Sequence, residues 1–479
     1  VTGRPSRRAM VGLGVAGAAA LGASPAIAAG SGRIGLPPPL RRAVQARMEA
    51  GRLPAVAVAV VRNGVPAAVE GLGLASPPFG VAATPRTLFH LGSASKHFTA
   101  ALVLRLAAAG RIRLGDAVGD YARGLPPSLA GLPISALLSH TAGAPEYEAL
   151  AGFEGDKPVC REMFLARMGG LAVDFAPGEA WSYSNTGYVL LGYLIADVCG
   201  RPYREVVAQE LLAPARLREA RVDDASAIIP GRAEPHVLAD GVLRRAMTMD
   251  SDFSGWPDGG MLISARDAAR WEAGLQRGEA APAVPLRTMT TPVLLKTGRN
   301  CAYGFGWRLD RVRGREVHYH AGSVPGFMAF YLRIPSERLG VVVTANVQSE
   351  RARAAVARIA HEAAEGFAPG STAISLVPMR DPDPALAAEA RAMLLRGGRP
   401  LDPGRFAPEI ACLLGRPAGE KAAPPDRTAA GLLDLNLVEA FDEDGGGHVR
   451  RYRCVYADRV EHMAFAYARD GRIYRVRAI

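Results

Sequence analysis

The chain has 479 residues, 49% of them hydrophobic and 22% charged, which is the balance of a folded globular protein long enough for two domains. Its formal charge of +11 is spread among interspersed acids without a dense basic stripe, so nucleic-acid binding has no support. Only four of its 57 basic residues are lysine (Lys96, Lys157, Lys296 and Lys421), so each lysine stands where arginine was the default.

The first 29 residues, "VTGRPSRRAMVGLGVAGAAALGASPAIAA", read as an export signal. A basic head at Arg7 and Arg8 precedes a Gly- and Ala-rich apolar run and a small-residue exit, the pattern of a twin-arginine signal cleaved near Ala28. Cleavage removes three arginines, taking the charge from +11 to +8, and leaves no stretch apolar enough to span a bilayer. The expected location is the periplasm or the extracellular space.

Residues 30–368 form the expected main domain. A helix over Arg41 to Glu49 leads into "AVAVAVVRNGVPAAVEGLG", two strands joined at an Asn63-Gly64 hairpin turn. From about Thr99 to Ala280 the pattern is helical and loop-rich. Strands return at "AYGFGWRL", "REVHYHAG", "GFMAFYLRI" and "LGVVVTAN", and a helix over Glu350 to Glu365 closes the domain. Strands at both ends and helices between predict an antiparallel α+β fold whose sheet draws on both termini, with a helical subdomain beside it. Residues 369–382 read as a linker, and 383–479 as a small C-terminal α+β domain with a helix over Ala385 to Leu395.

The chemistry begins at "HLGSASKHFT". Residues Ser95 to Ala109 are apolar nearly all round, which predicts a buried helix with Ser93 at its entry, where free N–H groups favour a developing oxyanion. Lys96, three residues on, returns to the same face and can reach the Ser93 hydroxyl. A buried amine can lose its proton near neutral pH and a guanidinium cannot, which explains a lysine here in an arginine-rich chain. In "PGEAWSYSNTGYVLLG", Tyr183 and Asn185, two apart in an extended loop, offer a phenol for proton transfer and an amide for a substrate carbonyl.

His318 and His320 alternate onto one strand face, but no third ligand accompanies them, and neither a metal nor a cofactor is expected. His140, closing a short helix in "LLSHTAG", is read as bracing the wall of the site. The five cysteines have no metal-type spacing and read as small buried residues, with a Cys412–Cys454 disulfide open in an oxidising compartment.

The segments "FHLGSASKHFTA", "ISALLSHTAGAP", "FAPGEAWSYSNTGYVLLG", "GGMLISARDAARW", "YGFGW" and "HAGSVPGF" resemble, in order and spacing, the penicillin-recognising serine hydrolases. The resemblance covers about residues 40 to 365 and is nearest the branch of class C β-lactamases, D-alanyl-D-alanine carboxypeptidases, D-aminopeptidases and esterases. It implies a β-lactamase-like fold, with Ser93 as acylated nucleophile, Lys96 as its proton partner, and Tyr183 as base for acylation and acid to the leaving group. Asn185 would hold the substrate, and the N–H groups of Ser93 and Ser323 would form the oxyanion hole. The family's Lys-Thr-Gly triplet corresponds by position to His320-Ala321-Gly322, which leaves the "KTG" at Lys296 in a loop. The implied function is hydrolysis of a small ester or amide, or of a D-amino-acid peptide, with a β-lactamase or a penicillin-binding sensor that acylates without turnover as alternatives. The expected partner is a small-molecule or peptide substrate; the sequence leaves the oligomeric state open.

Overall fold

The computed structural model describes residues 35–149, 160–224, 226–246, 256–279, 285–414, 425, 427–428, 431–443, 446–457 and 459–478. The expected export signal lies outside these residues.

The valine and alanine alternation of "AVAVAVVR" builds β1 (Ala55–Arg62), a strand buried on both faces. Its period of two sends Val56, Val58 and Val60 into one hydrophobic cluster and Ala57, Ala59 and Val61 into another. Next come β2 (Val65–Ser76), paired through the Asn63-Gly64 turn, and the short β3 (Val81–Ala82). The strands β4 (Leu88–His90), β5 (Arg221–Val222), β6 (His236–Ala239), β7 (Val242–Arg245) and β8 (Met261–Ser264) belong to small side sheets. The late strands are β9 (Arg308–Val312), β10 (Arg315–Val324), β11 (Phe327–Ile334) and β12 (Leu339–Ala345).

The seven-stranded sheet has the order β3-β2-β1-β12-β11-β10-β9, so the first strand pairs with the last of the main region, antiparallel, as the sequence predicts. The helices α1 (Pro38–Gly51), α2 (Lys96–Ala108), α3 (Asn185–Cys199), α4 (Ala265–Arg277) and α5 (Glu350–Phe367) supply its two faces. Apolar residues of α1 and α5 cover one face; α4 and the helical insertion, with α2 and α3 at its centre, cover the other.

Downstream, α6 (Pro384–Leu394) packs on a four-stranded antiparallel sheet of β13 (Asp434–Glu443), β14 (Gly447–Val455), β15 (Val460–Tyr467) and β16 (Ile473–Ala478). This sheet is fastened to β9. The Asp310 carboxylate lies 3.0 Å from Arg451 Nη1 and 3.0 Å from Arg477 Nη2, and Arg477 Nη1 also donates to Leu309 O at 2.6 Å. Leu413, fully buried, shares a cluster with Phe175 and Ala180.

Several expectations change. Tyr303 to Trp307 form a turn rather than a strand, and β9 begins only at Arg308. The stretch expected as a linker is tied down at its start, where the Glu365 carboxylate accepts from the N–H of Gly370 and of Thr372 at 2.6 and 2.8 Å. None of the five cysteines, all among the described residues, is in a disulfide; Cys301 and Cys454 are buried, but Cys412 is exposed, so the Cys412–Cys454 disulfide is absent. Among the described residues no helix is long and apolar enough to cross a membrane.

Candidate active site

Strand β4 hands the chain to a short 3-10 turn, Gly92–Ser95, that runs straight into α2 and puts Ser93 at its entry. Gly92 is required there: its φ of 52° is left-handed, and a Cβ would come within 2.6 Å of Ser323 N. Helix α2 is buried from Lys96 through Leu104. The Lys96 Nζ lies 3.3 Å from Ser93 Oγ, 2.6 Å from Asn185 Oδ1 and 2.8 Å from Asp258 O. Burial lowers its pKa to about 8 against the opposing pull of Asp258, Glu148 and Glu146.

Asn185 is not in a loop. It is the first residue of α3, with Ser184 as N-cap accepting from Gly187 N–H at 3.4 Å, so the helix starts two residues before the apolar run suggests. Tyr183 still shares its direction: the Lys96 ammonium lies 4.9 Å from the Tyr183 ring centroid. Burial holds the Tyr183 phenol far above its ordinary pKa, opposed by a hydrogen bond with Ser93 and by the charge of Arg308.

His140 grips this segment from behind. Its carbonyl accepts from Ser182 N–H at 3.1 Å, its Nδ1 accepts from Ser184 N–H at 3.1 Å, and its ring lies 4.2 Å from the Tyr183 ring. The bracing role read from the sequence has this geometry.

The third wall is the end of β10. Strand β9 pairs with β10 only from Arg315 to Tyr319, which leaves His320 to Val324 with β11 on one edge and, among the described residues, no strand on the other. The two-residue turn at Pro325-Gly326 makes Val324 and Phe327 the closing pair, so by alternation the N–H of Ser323 faces the open edge. At Gly322 a Cβ would meet Leu91 O at 1.8 Å; only glycine lets the nucleophile turn approach this strand. His320 is buried, with Nδ1 2.7 Å from Ala321 O and Nε2 3.0 Å from Tyr303 Oη. The carbonyl requires a proton on Nδ1, so Nε2 accepts from the phenol. Burial, with the charges of Arg308 and Lys96, keeps this ring neutral.

Thus Ser93, Lys96, Tyr183, Asn185, His320, Gly322 and Ser323 converge, while Lys296 sits apart, its N–H donating to Gly178 O at 2.8 Å. Three residues at this site escaped sequence reasoning. The Arg308 guanidinium lies 5.5 Å from the Tyr183 ring and 5.6 Å from that of Trp181. Glu146 Oε2 accepts from Asn185 N–H at 3.0 Å, and Asp258 Oδ2 accepts from Tyr147 Oη at 3.0 Å. The one signal for Arg308 was its place directly after "YGFGW", and an arginine in so arginine-rich a chain draws no notice. Among the described residues no group of three or more His, Cys, Asp or Glu could hold a metal ion.

The family model described as Beta-lactamase matches residues 40–365. A D-aminopeptidase of Gluconobacter oxydans is 29% identical over 312 residues, 62% of this chain and 56% of its own length. Penicillin-binding protein 4* of Bacillus subtilis is 29% identical over 284 residues, 55% of this chain and 62% of its own. The chain therefore spans less than two thirds of either relative. Among solved structures, the octameric penicillin-binding protein homologue from Pyrococcus abyssi superposes with a TM-score of 0.61 at 20% identity, covering 91% of this chain and 94% of that one. The D-amino acid amidase from Ochrobactrum anthropi SV3 gives 0.59 at 23%, covering 69% and 98%. The fold, the convergent residues and the match over residues 40–365 lead to one conclusion: the chain belongs to the Beta-lactamase family of penicillin-recognising serine hydrolases.

Proposed function

We propose that the protein is an exported serine hydrolase that acts through a Ser93 acyl-enzyme on small amides or esters of the D-amino-acid type. The observation that carries this reading is the buried Lys96 amine, its pKa lowered to about 8, lying 3.3 Å from Ser93 Oγ. Its two shorter contacts, to Asn185 Oδ1 and Asp258 O, take up the two N–H groups of the neutral form. The lone pair is left for the Ser93 proton.

Burial keeps Tyr183 a phenol at neutral pH, so the roles divide more sharply than the family resemblance implies. Lys96 takes the proton as Ser93 Oγ bonds to the substrate carbonyl carbon, and the N–H groups of Ser93 and Ser323 hold the oxyanion. Tyr183 then gives its proton to the departing amine or alcohol as the C–N or C–O bond breaks, and recovers one from Lys96. Water attacks the acyl-enzyme by the reverse relay. Asn185 and the open β10 edge from His320 to Ser323 orient the acyl group.

Charge supports an amino-acid-like substrate. Glu146, Glu148 and Asp258 pull on Lys96, and the Arg308 guanidinium lies 5.5 Å from the Tyr183 ring, a set of charges suited to an ammonium and a carboxylate. The relatives named as D-aminopeptidase and D-amino acid amidase support the same class. The paired arginines ahead of an apolar run support export.

The test is labelling with a fluorophosphonate, followed by turnover of D-aminoacyl amides, short esters and nitrocefin. The expected result is a covalent adduct on Ser93, absent in Ser93→Ala, with D-aminoacyl amides cleaved faster than nitrocefin. An adduct that persists in Ser93→Ala sinks the acyl-enzyme. Faster nitrocefin turnover makes the protein a β-lactamase, and a labelling burst without steady-state turnover makes it a sensor.

A further inference from the structure

A cavity of about 420 Å³ lies between the main region and the C-terminal sheet, within the range of small-molecule sites. Its near wall includes Trp181, Arg308 and Ala321. Of these, Trp181 and Arg308 adjoin the catalytic groups, Arg308 lying 5.5 Å from the Tyr183 ring, while the Ala321 side chain, next to His320 on β10, lies on the opposite face of the sheet with α5. Met328 and Phe330 of β11 and Ala357 of α5 also line the space, and the far wall is His462 and the strand β16.

The lining charges are matched except at one end. Arg353, Arg358, Arg427 and Arg477 face Glu350, Glu362, Glu461 and Asp310 at 3.2, 2.7, 3.3 and 3.0 Å, and Arg475 pairs with Glu443. Burial keeps His361 and His462 neutral, their pKa values lowered to about 4 and about 3. Arg308 alone among the lining arginines has no carboxylate partner among the described residues, and it stands at the catalytic end. An occupant that fits therefore carries its charge beside Arg308 and an apolar body beyond it.

We propose that this cavity is a substrate pocket for a bulky apolar side chain next to a carboxylate, and that the C-terminal sheet, as its far wall, sets substrate size. The inference rests on the serine-hydrolase reading above and adds to it the chemistry of the group beyond Arg308: an aromatic or long aliphatic residue at the carboxyl end of a D-amino-acid peptide.

The experiment compares kcat/KM for D-alanyl-D-phenylalanine and D-alanyl-glycine in the full chain. Wild type favours the phenylalanine peptide. Ala357→Trp, which fills the pocket from α5, lowers that ratio by at least about tenfold. His462→Ala, which enlarges the far wall, shifts preference toward D-alanyl-D-naphthylalanine. Ratios unchanged in both variants, with melting temperatures held, overturn the proposal. A second arm is independent of catalysis: calorimetric binding of N-acetyl-D-phenylalanine against N-acetylglycine to Ser93→Ala protein. Preference for the aromatic ligand, lost in Ser93→Ala/Ala357→Trp, supports the pocket even if no peptide is cleaved; equal binding of both ligands overturns it while leaving the acyl-enzyme untouched.

Discussion

Lys96 and Tyr183 meet over the same hydroxyl, and burial moves both pKa values in opposite useful directions. The amine comes down to about 8 and the phenol goes up. An active form with neutral Lys96 grows as pH rises through about 8, so kcat/KM should climb with pH to that point and then level off. Lys96→Arg, charged at every accessible pH, should abolish the rise together with the activity. Tyr183→Phe removes a proton donor, so its effect depends on the leaving group. Hydrolysis of a D-aminoacyl amide should fall about 10²-fold to 10⁴-fold, and that of a p-nitrophenyl ester, whose leaving group needs no proton, about tenfold or less. Equal losses on both substrates would show that Tyr183 acts as the base. At this scale the grouping was legible: a lysine where arginine was the default drew the eye to Lys96, and Ser93, Tyr183, Asn185 and His320, each named from the sequence, lie beside it in the candidate site. Arg308 could not, because its use depends on β9 lying beside Trp181 and Tyr183, a meeting of segments more than a hundred residues apart.

Among elements, the decisive contact is between the turn carrying Ser93 and the end of β10. Gly322 passes under Leu91 O so closely that a single methyl group would force the two apart. Gly322→Ala should therefore displace Ser323 N–H from the oxyanion position and lower kcat by about 10²-fold or more, the usual cost of losing one such donor. Melting temperature and kcat measured together check this; a variant with full kcat would remove Ser323 from the oxyanion hole. The alternation of β1 and the apolar surround of α2 were readable because each is a periodic signal produced by burial. The start of α3 was misplaced by two residues because Asn185 is a polar residue at the N-terminus of a helix whose apolar pattern begins later. The turn at Tyr303 to Trp307 looked like a strand for the converse reason: its aromatic side chains are buried, Trp307 stacking on His97 at 4.8 Å, without any ladder of strand pairing along it.

For the whole molecule, the joint between the main region and the C-terminal sheet is an ion cluster in a nearly dry place. The Asp310 side chain is 5% exposed and that of Arg451 0%. Two guanidinium groups hold the Asp310 pKa down to about 2 from 3.8, against the cost of burial. A depressed carboxylate stabilises the fold above its unfolded pKa and loses that contribution as pH falls through the folded one, here between about 4 and about 2, about 2 kcal/mol in all. Asp310→Asn leaves Arg451 and Arg477 buried without that charge and should cost about 3–5 kcal/mol, with earlier proteolysis of the C-terminal sheet as the readout. An unchanged melting temperature would show that Leu413 and its apolar neighbours hold the joint unaided. None of this was legible in the sequence, where the C-terminal part looked like a separate module. Two arginines and one aspartate, far apart in the chain, have no periodicity to reveal that they share a contact.

The margin of β10 that no described strand pairs has a consequence for how any substrate is chosen. A strand edge grips whatever lies along it through peptide groups, which all amino acids share, so it anchors a chain without regard to its identity. Discrimination must then come from where the side groups are forced to go, and a molecule with this architecture can change its diet by remodelling distant walls while its reaction chemistry stays untouched.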